Sequence, residues 1–423
     1  SSVFSVLLVW ALHLFKPEGL GLASPWLIVW FFSPVVVWLL NRHPSVKPLA
    51  SFISEEDRQF LRRIARRTWR YFSDFVNDKS SWLPPDNYQV SHQNQLAMRT
   101  SPTNIGLWMV SILSAQHFGY VTTDDVVHKL SKTFATLSKL ERYEGHLLNW
   151  YDIQTLIPLN PRYVSTVDSG NFLGALWTLK NGLGELVHAP LLDESAFEGL
   201  CDTCEILKEL AEKEMYVCFD VKELDRLIQA WKTPHLRVVD ALATLWKTKK
   251  TVRALAQKTC GLPVTQEKIT YWTDQLENQI KGWLSVADRY LGWIEILNEK
   301  SDDELCNLSE EILPALHSAL TQCPSLFDLA QVNVPAMRAL EDLKNRIPTQ
   351  DESTHTWIDR VLESFSRSKW LAGEMLGFTD VLMRDSGQMS EAINLQFLYI
   401  ADRKLFSIGY NVSEGRLDRS FYD

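Results

Sequence analysis

The stretch with the strongest potential for chemistry runs from Asn149 to Asn171 and reads NWYDIQTLIPLNPRYVSTVDSGN. Pro158, Pro161 and Gly170 predict that it is not helical. Aromatic faces beside short hydrogen-bonding side chains suit a polar, ring-shaped ligand such as a sugar. The alternative is a buried loop whose polar groups satisfy its own backbone. The candidate binding residues here are Asn149, Trp150, Tyr151, Asp152, Tyr163, Ser165, Asp168, Ser169 and Asn171.

The cleavage or transfer of a glycosidic bond needs a pair of carboxyl groups, and this stretch contains two, Asp152 and Asp168. Asp152 follows two aromatic residues, and Asp168 lies in STVDSGN, where it could cap the next helix. We expect Asp168 to act as a cap or hydrogen-bonding group. We expect Asp152 to orient a sugar hydroxyl or a neighbouring side chain. The sequence therefore predicts substrate positioning for both, and no catalytic residue is assigned.

Amphipathic helices must hold these residues in place. Ser54 with Asp57 predicts a helix start, and that helix should end near Asn77. Ser101 predicts a helix start with Pro102 as the first helical residue. Gly119 should end the helix that follows Pro102. The next helix is predicted to begin at a Thr123 cap, with two aspartates in its first turn. A further helix is predicted from about residue 171 to about residue 187. Polar loops alternate with plain turns, so the loops could gather at one end of a helical barrel.

The later chain shows two further patterns. Residues 188–370 are nearly all helical in pattern, with long charged faces and no catalytic constellation, which predicts a helical insertion or bundle. Residues 403–418 change to a period of two around a turn at 413–415, which predicts a β-hairpin.

Composition excludes several functional classes. The chain has 423 residues, 46% of them apolar, and a net charge of −9. No basic stretch interleaves with aromatic residues, so nucleic acid is not expected as a partner. Cys201 and Cys204 form a C-x-x-C without a second pair at zinc spacing. The six cysteines are therefore predicted to be reduced helix residues, and no metal or cofactor is predicted.

Residues 1–43 contain two uncharged apolar runs, at 3–15 and 23–40, which predict a transmembrane hairpin; the alternative is a buried core hairpin. Arginines follow the second run, which by the positive-inside rule places the large C-terminal part in the cytoplasm. The predicted location is thus the inner (cytoplasmic) membrane, multi-pass, with the lipid bilayer as a partner. The arginines could form a solvated helix face or a surface for phosphate or anionic lipid. They are Arg42, Arg58, Arg62, Arg63, Arg66, Arg67 and Arg70, with Lys47 between the first two.

Several long motifs resemble the middle region of cyclic β-1,2-glucan synthases. They are TWRYF (68–72), WLPPDNYQ (82–89), RTSPTNIG (99–106), LERYEGHLLNWYD (140–152), LNPRYVSTVDSGN (159–171) and RKLFSIGYNVSEGRLDRSFYD (403–423). The resemblance covers about 45–190 and 371–423. It implies a protein in which a membrane-embedded glycosyltransferase makes linear β-1,2-glucan, a glycoamylase-like (α/α)6 barrel closes chains by transglycosylation, and a phosphorylase-like domain trims them.

The implied fold class is mainly α. Transmembrane helices (1–43) precede part of an (α/α)6-barrel-like domain (44–187), a helical insertion (188–370) and a return to the barrel with a terminal β-hairpin (371–423). The resemblance also implies that three loops line the sugar-binding end, which adds Arg99, Thr100, Ser101 and Asn104 to the candidates. Its expected partners are β-1,2-glucan chains and other domains of the same polypeptide.

The sequence also departs from the pattern of the family. The family's glutamate motifs, FEYLMP and WGISES, do not occur here, so we expect the catalytic carboxylates beyond residue 423 and an inactive fragment. The segment at 377–402 is longer than its counterpart in the family. Two other readings stay open: a non-catalytic, membrane-tethered carbohydrate-binding or scaffolding module, and a glycoside hydrolase or phosphorylase.

Overall fold

A computed structural model describes residues 2–40, 53–90, 95–213, 221–256, 263–301, 304–305, 311–348 and 350–421. The described residues are mainly helical, with 70% of them in helices and a few short strands. The mainly α class predicted from periodicity is therefore confirmed, whereas the barrel arrangement stays a prediction. The chain divides into two compact units, residues 1–60 and 61–423.

The first unit contains two apolar helices that pack against each other, α1 (Ser2–Phe15) and α2 (Leu20–Leu40). A single 3-10 turn, Pro17–Gly19, joins them. The segment Pro17–Leu39, of 23 residues, is the one described stretch that is long and apolar enough to cross a membrane, and Phe4–Phe15 is shorter. The structure thus supports one span by length and composition, and the second predicted span stays a prediction.

The remaining helices form a single run of amphipathic elements around a shared core. They are α3 (Glu55–Phe75), α4 (Pro102–His117), α5 (Thr123–Leu137), α6 (Thr166–Leu186), α7 (Glu194–Lys213), α8 (Val221–Lys232), α9 (Val238–Ala256), α10 (Pro263–Val286), α11 (Gly292–Leu297), α12 (Leu313–Thr321), α13 (Leu326–Ala330), α14 (Pro335–Arg346) and α15 (Glu352–Ala392).

Short antiparallel strands tie the loops together. They are β1 (Tyr88–Gln89), β2 (Gln95–Leu96), β3 (Arg99–Thr100), β4 (Arg142–Tyr143), β5 (His146–Leu147), β6 (Tyr151–Asp152), β7 (Tyr163–Ser165), β8 (Tyr399–Ile400), β9 (Leu405–Phe406), β10 (Gly409–Asn411) and β11 (Arg416–Leu417). The pairs are β1–β2, β3–β6, β4–β5 and β8–β9, and β7, β10 and β11 form a three-stranded sheet with β10 in the middle. The hairpin predicted from the change of period is present as β10–β11.

Several helix ends follow from local hydrogen bonds. Ser54 Oγ accepts from the Asp57 amide at 3.0 Å, and Ser101 Oγ accepts from the Asn104 amide at 3.2 Å, as the capping patterns predicted. Gly119 has φ +77°, and a Cβ there would lie 1.9 Å from the Ser195 carbonyl oxygen, so only glycine fits at this turn.

Two predicted helix starts are wrong. The cap of α5 is Thr122, whose hydroxyl and backbone form a capping box with Asp125, so the predicted Thr123 cap is one residue late. The start of α6 is Thr166, five residues before the predicted 171. Ser165 Oγ accepts from the Asp168 amide at 3.2 Å, and this cap starts the helix early enough to include Gly170. A glycine costs only about 1 kcal/mol inside a helix, so it did not end this one.

The arginines of α3 form the solvated face that the sequence suggested only in part. Arg58 and Arg70 are about half exposed and pair within α3, with Glu55 and Asp74. Arg62, Arg63 and Arg67 instead form ion pairs with acidic residues of α7, and Arg42 and Lys47 lie outside the described residues. The pairs are Arg62 with Glu198 and Asp202, Arg63 with Glu205 and Glu209, and Arg67 with Glu209.

Arg66 lies deepest in this arrangement. Its Nε donates to Thr203 Oγ1 at 2.8 Å, and its guanidinium lies 5.3 Å from the Tyr120 ring centroid and 5.0 Å from that of Trp272. Burial lowers the pKa of Arg66 to about 10. Arg62, Arg63, Arg66 and Arg67 therefore join α3 to α7 and α10.

The second unit has one continuous hydrophobic core that includes helices on both sides of residue 188. Within it, α4 and α6 approach closely at Gly106, where a Cβ would lie 2.9 Å from that of Ala175. Trp69 and Trp108 stack with centroids 5.8 Å apart and join α3 to α4. The predicted domain boundaries at 187/188 and 370/371 stay predictions from the sequence.

Candidate functional site

Three loops that are distant in sequence meet where α4 and α6 begin. Strand β3 pairs with β6, with Arg99 opposite Asp152 and Thr100 opposite Tyr151. The amide of Asn149 donates to the carbonyl oxygen of Tyr163 at 2.7 Å, and Tyr163 in β7 pairs with Asn411 in β10. The structure therefore brings the predicted binding loops to one end of these helices.

Arg99 is at the centre of the contacts between the loops. Its Nε and Nη2 donate to Oδ2 of Asp86 at 3.1 and 3.0 Å. Its guanidinium carbon lies 4.5 Å from the ring centroid of Trp150, which is a cation–π contact. Asn104 Nδ2 donates to the other oxygen of Asp86 at 3.3 Å. A planar aromatic ring is thus held beside a partly neutralised guanidinium.

Asp168 connects the same surface to α6. Its Oδ1 accepts from Thr103 Oγ1 at 2.6 Å, and Thr103 Oγ1 accepts from Asn171 Nδ2 at 3.1 Å. With its amide oriented to satisfy its neighbours, Asn149 donates to Asp168 Oδ2 at 3.1 Å and accepts from Trp150 Nε1 at 3.2 Å. We call the connected set of side chains the loop cluster: Asp86, Arg99, Thr103, Asn104, Asn149, Trp150, Asp168 and Asn171.

Two members of the loop cluster were not among the predicted site residues. Asp86 lies in the WLPPDNYQ loop, and Thr103 lies in RTSPTNIG. Both stretches are in motifs that carry the resemblance. The available signal for Asp86 was the motif itself, because Asp86 is the one acidic residue of WLPPDNYQ.

Asp152 has a local role in the loop. Its Oδ1 accepts from the Thr155 amide at 2.8 Å, from Thr155 Oγ1 at 2.9 Å and from the Gln154 amide at 3.0 Å. The backbone hydrogen bond from Thr155 is the main cause that lowers the pKa of Asp152. The carboxylate therefore stays ionised and shapes its own turn, which agrees with the expected contact to a neighbouring side chain.

Asp168 fulfils one of its two expected roles. It accepts the hydrogen bonds from Thr103 and Asn149, as expected of a hydrogen-bonding group. It does not cap α6, because Ser165 Oγ takes that position and Asp168 already lies in the first turn.

Five predicted binding residues have structural positions instead. Tyr151 is fully buried, and burial raises the pKa of its hydroxyl to about 12. That hydroxyl donates to the Glu141 carbonyl at 2.6 Å and accepts from the Leu148 amide at 2.7 Å. Ser169 is buried with its Oγ 2.7 Å from His146 Nδ1. Ser101 and Ser165 are helix caps, and Thr100 is fully buried. We therefore leave out of the site Thr100, Ser101, Tyr151, Ser165 and Ser169.

Tyr163 lies beside a separate hollow of about 310 Å³ formed with the β10–β11 hairpin. Its hydroxyl donates to Asp418 Oδ2 at 3.3 Å. Its ring covers Gly409, where a Cβ would lie 2.4 Å from the ring, so β7 and β10 could not pair this closely around a larger residue.

The cysteines and other metal-binding residue types form no cluster in the part of the chain that the structure describes. There, no group of three or more His, Cys, Asp and Glu side chains could hold a metal ion. Cys201 and Cys204 are buried in α7, and their thiols lie 3.9 and 3.8 Å from the carbonyl oxygens of Ile228 and Leu224. Cys218, Cys260 and Cys306 lie outside the described residues.

The fold and the loop cluster together define a mainly helical protein with a polar and aromatic surface at one end of its helices. No protein-family model matches the chain. The chain is 28% identical over 400 residues, 94% of its length, to the cyclic beta-(1,2)-glucan synthase NdvB of Rhizobium meliloti (strain 1021). It spans 12% of the length of that relative. The resemblance read from the loop motifs is thus confirmed as a similarity that extends along nearly the whole chain.

Proposed function

We propose that the chain is part of a membrane-bound enzyme that makes cyclic β-1,2-glucan, and that the loop cluster binds the glucan. Two findings support this proposal. The similarity to a cyclic beta-(1,2)-glucan synthase covers 94% of the chain. The single structural observation that carries the binding role is the contact of Arg99 with both Trp150 and Asp86.

The physical basis is a match between the cluster and a neutral sugar. The Trp150 indole supplies an apolar face for the C–H groups of a pyranose ring. Arg99 uses two of its N–H groups on Asp86, which leaves further donors for sugar hydroxyls. Because Asp86 offsets the charge of Arg99, the cluster favours an uncharged polyol over an anion. The amides of Asn104 and Asn171 add donors and acceptors next to this surface.

We assign the proposed cyclisation to transglycosylation. One β-1,2 bond of a linear chain breaks, the glycosyl unit joins a hydroxyl at the other end of the same chain, and the remaining piece leaves. This chemistry needs two carboxyl groups. Asp152 and Asp168 already accept hydrogen bonds from their own loops. We therefore propose that both position substrate and that neither transfers a proton.

Because the carboxylates of Asp152 and Asp168 already accept hydrogen bonds from the protein, a second candidate function is favoured. It is a membrane-tethered carbohydrate-binding or scaffolding module without activity of its own. Product analysis separates these readings. Mass spectrometry of linear β-1,2-glucan after incubation with the full-length polypeptide that contains this chain would show rings for a cyclising enzyme and unchanged chains for a binding module. Shortened linear chains would indicate a hydrolase, or a phosphorylase if their formation requires phosphate.

The proposed location is the inner membrane, with residues 61–423 in the cytoplasm, and the proposed partners are β-1,2-glucan chains, the lipid bilayer and other domains of the same polypeptide. The apolar helix Pro17–Leu39 supports membrane association by its length and composition. The basic residues that follow it support the orientation. A multi-pass arrangement with α1 as a further span is part of the same proposal.

The direct test of the binding role is the replacement Trp150→Ala. Loss of the aromatic face should weaken the binding of linear β-1,2-gluco-oligosaccharides by about tenfold. Isothermal titration calorimetry on the full chain, in a detergent without a sugar headgroup, measures this change.

Trp177→Ala is the matched control, because Trp177 is 57% exposed on α6 and is outside the loop cluster. Its replacement should leave the affinity unchanged. Equal affinity of wild type and Trp150→Ala would contradict the proposed site.

A further inference from the structure

A second cleft, of about 590 Å³, lies among α5, α10 and α15. It contains no residue of the loop cluster. Its walls come from the N-terminal half of α5, from the end of α10 with the turn that follows, and from Met375 and Phe378 of α15. Its volume is in the range of about 300–1,000 Å³ that is usual for small-molecule sites.

The wall formed by α10 has an uncommon backbone. Residues Ala287–Leu291 form a π-helical turn directly after α10. Such turns are rare and occur frequently at functional sites. This one places Arg289 and Tyr290 together on Asp124: Arg289 Nη1 donates to Oδ2 at 2.7 Å, and the Tyr290 hydroxyl donates to Oδ1 at 2.9 Å.

The walls formed by α5 and α10 approach each other closely at a glycine of α10. A Cβ at Gly282 would lie 3.3 Å from Cγ2 of Thr122, the residue that caps α5. Burial raises the pKa of the Asp124 carboxyl in the α5 wall. The cleft therefore has two closely packed walls, joined by the contacts of Asp124 with Arg289 and Tyr290.

The lining indicates the class of ligand. Asp124 and Asp125 are balanced by Lys132 and Arg289, so the cleft has no strong preference for an anion or a cation. The hydroxyls of Ser131 and Ser285 and the ring of His128 add neutral hydrogen-bonding groups. Phe378, whose side chain is 50% exposed, supplies an aromatic surface at the rim. Hydrogen-bonding groups of balanced charge beside an aromatic ring suit an uncharged, polyhydroxylated ligand.

We propose that this cleft is a second carbohydrate-binding site, which takes a segment of the same glucan that the loop cluster binds. The identity of the sugar rests on the proposed function, whereas the existence of a binding site rests on the volume and lining of the cleft. A long chain held at both places would bind more tightly than either site alone allows, because the second contact is intramolecular.

The experiment uses short β-1,2-gluco-oligosaccharides and the full chain in a detergent without a sugar headgroup, with calorimetric stoichiometry as the readout. Wild type should bind one ligand at each site. In the double variant Phe378→Ala/Lys132→Gln, the affinity at the cleft should fall by at least about tenfold. The measured stoichiometry should then fall from two bound ligands to one, the ligand at the loop cluster. Trp370→Ala is the matched control, since Trp370 is 66% exposed on the same helix and does not line the cleft.

The two proposals fail differently in this experiment. An unchanged stoichiometry and affinity in Phe378→Ala/Lys132→Gln would overturn the cleft site, whatever happens at the loops. Loss of one equivalent in this variant together with no change in Trp150→Ala would support the cleft and overturn the loop cluster. A wild-type protein that binds no oligosaccharide would contradict both.

Discussion

At the scale of single residues, the candidate site depends on how charge is balanced around Arg99. Asp86 accepts two hydrogen bonds from the guanidinium and one from Asn104. These bonds fix the plane of Arg99 over Trp150. An arginine fixed in this way loses little further conformational entropy when it binds a hydroxyl, which favours affinity.

We expect Asp86→Asn to weaken glucan binding by roughly three- to tenfold, because an amide holds the guanidinium less firmly than a carboxylate does. Calorimetry with linear β-1,2-gluco-oligosaccharides measures the change. Glu414→Gln serves as the control, since Glu414 pairs with Arg416 on the hairpin, away from the loop cluster. A variant that binds as tightly as wild type would show that the Asp86 contact does not matter for the ligand.

His146 connects α6 with the segment that follows α15. Its ring is fully buried, with Nδ1 2.7 Å from Ser169 Oγ and Nε2 2.8 Å from the Asn394 carbonyl oxygen. Since a carbonyl oxygen can only accept, we assign the proton to Nε2 and the acceptor role to Nδ1. Burial lowers the pKa of His146 below 6.5. The folded protein therefore holds the neutral ring at a pH where the unfolded chain already binds a proton.

The sign of the pH dependence follows from this difference. The contribution of His146 to the free energy of unfolding is fully present above pH 6.5 and is lost as the pH falls towards the folded-state pKa. His146→Gln offers an amide donor and a carbonyl acceptor in place of the two ring nitrogens, and it does not titrate. We expect the thermal midpoint of wild type to fall more steeply than that of this variant between about pH 7 and pH 5. Parallel pH profiles would show that His146 is not responsible.

At the scale of elements, the contact of α3 with α7 combines buried and exposed ion pairs. Asp202 accepts from Arg62 Nε at 2.9 Å and from the Tyr120 hydroxyl at 3.0 Å. Burial raises the pKa of Asp202, and Arg62 opposes that shift. The Arg67–Glu209 pair on the same two helices is more exposed. The two kinds of pair should therefore contribute very different amounts to stability.

Asp202→Ala should lower the free energy of unfolding by roughly 3 kcal/mol, because it leaves the buried Arg62 without its main partner. Glu209→Ala should cost about 1 kcal/mol or less, because its pairs with Arg63 and Arg67 are both partly exposed and such pairs gain little. Urea unfolding followed by circular dichroism compares the two variants. Similar losses in both would contradict the assignment of Asp202 as the buried partner.

At the scale of the whole molecule, the two units differ in their surface chemistry. In the first unit, α2 carries four consecutive exposed residues, Ile28, Val29, Trp30 and Phe31, which point to all sides of the helix, whereas the second unit buries one large core. A helix that is apolar all round is typical of a membrane span. The proposed anchoring role of residues 1–43 follows from this difference.

Removal of residues 1–43 should move the protein from the membrane pellet to the supernatant after ultracentrifugation. Val29→Lys should weaken membrane insertion as well, because a lysine near the centre of a span costs about 2.5–3.5 kcal/mol. Immunoblotting of the two fractions, with and without alkaline washing, gives the readout. A shortened protein that stays in the alkali-resistant pellet would show that another segment anchors it.

Local patterns in the sequence predicted much of the secondary structure, since they rest on interactions within a few residues. The caps at Ser54 and Ser101, the turn at Gly119 and the β10–β11 hairpin are of this kind. The start of α6 is an exception, because Gly170 predicted a later start, whereas the Ser165 cap decided the boundary.

The sequence by itself determined the helical class, the apolar runs and the loops in which polar and aromatic residues concentrate, because periodicity and capping are local. Only the tertiary structure decided which of those residues reach the surface. Trp150 and Tyr151 are neighbours, yet Trp150 contacts Arg99 and Tyr151 is fully buried, since successive side chains of an extended segment point to opposite sides. The partners of Arg99, of Asp168 and of the α3 arginines come from distant parts of the chain, and only folding brings them together.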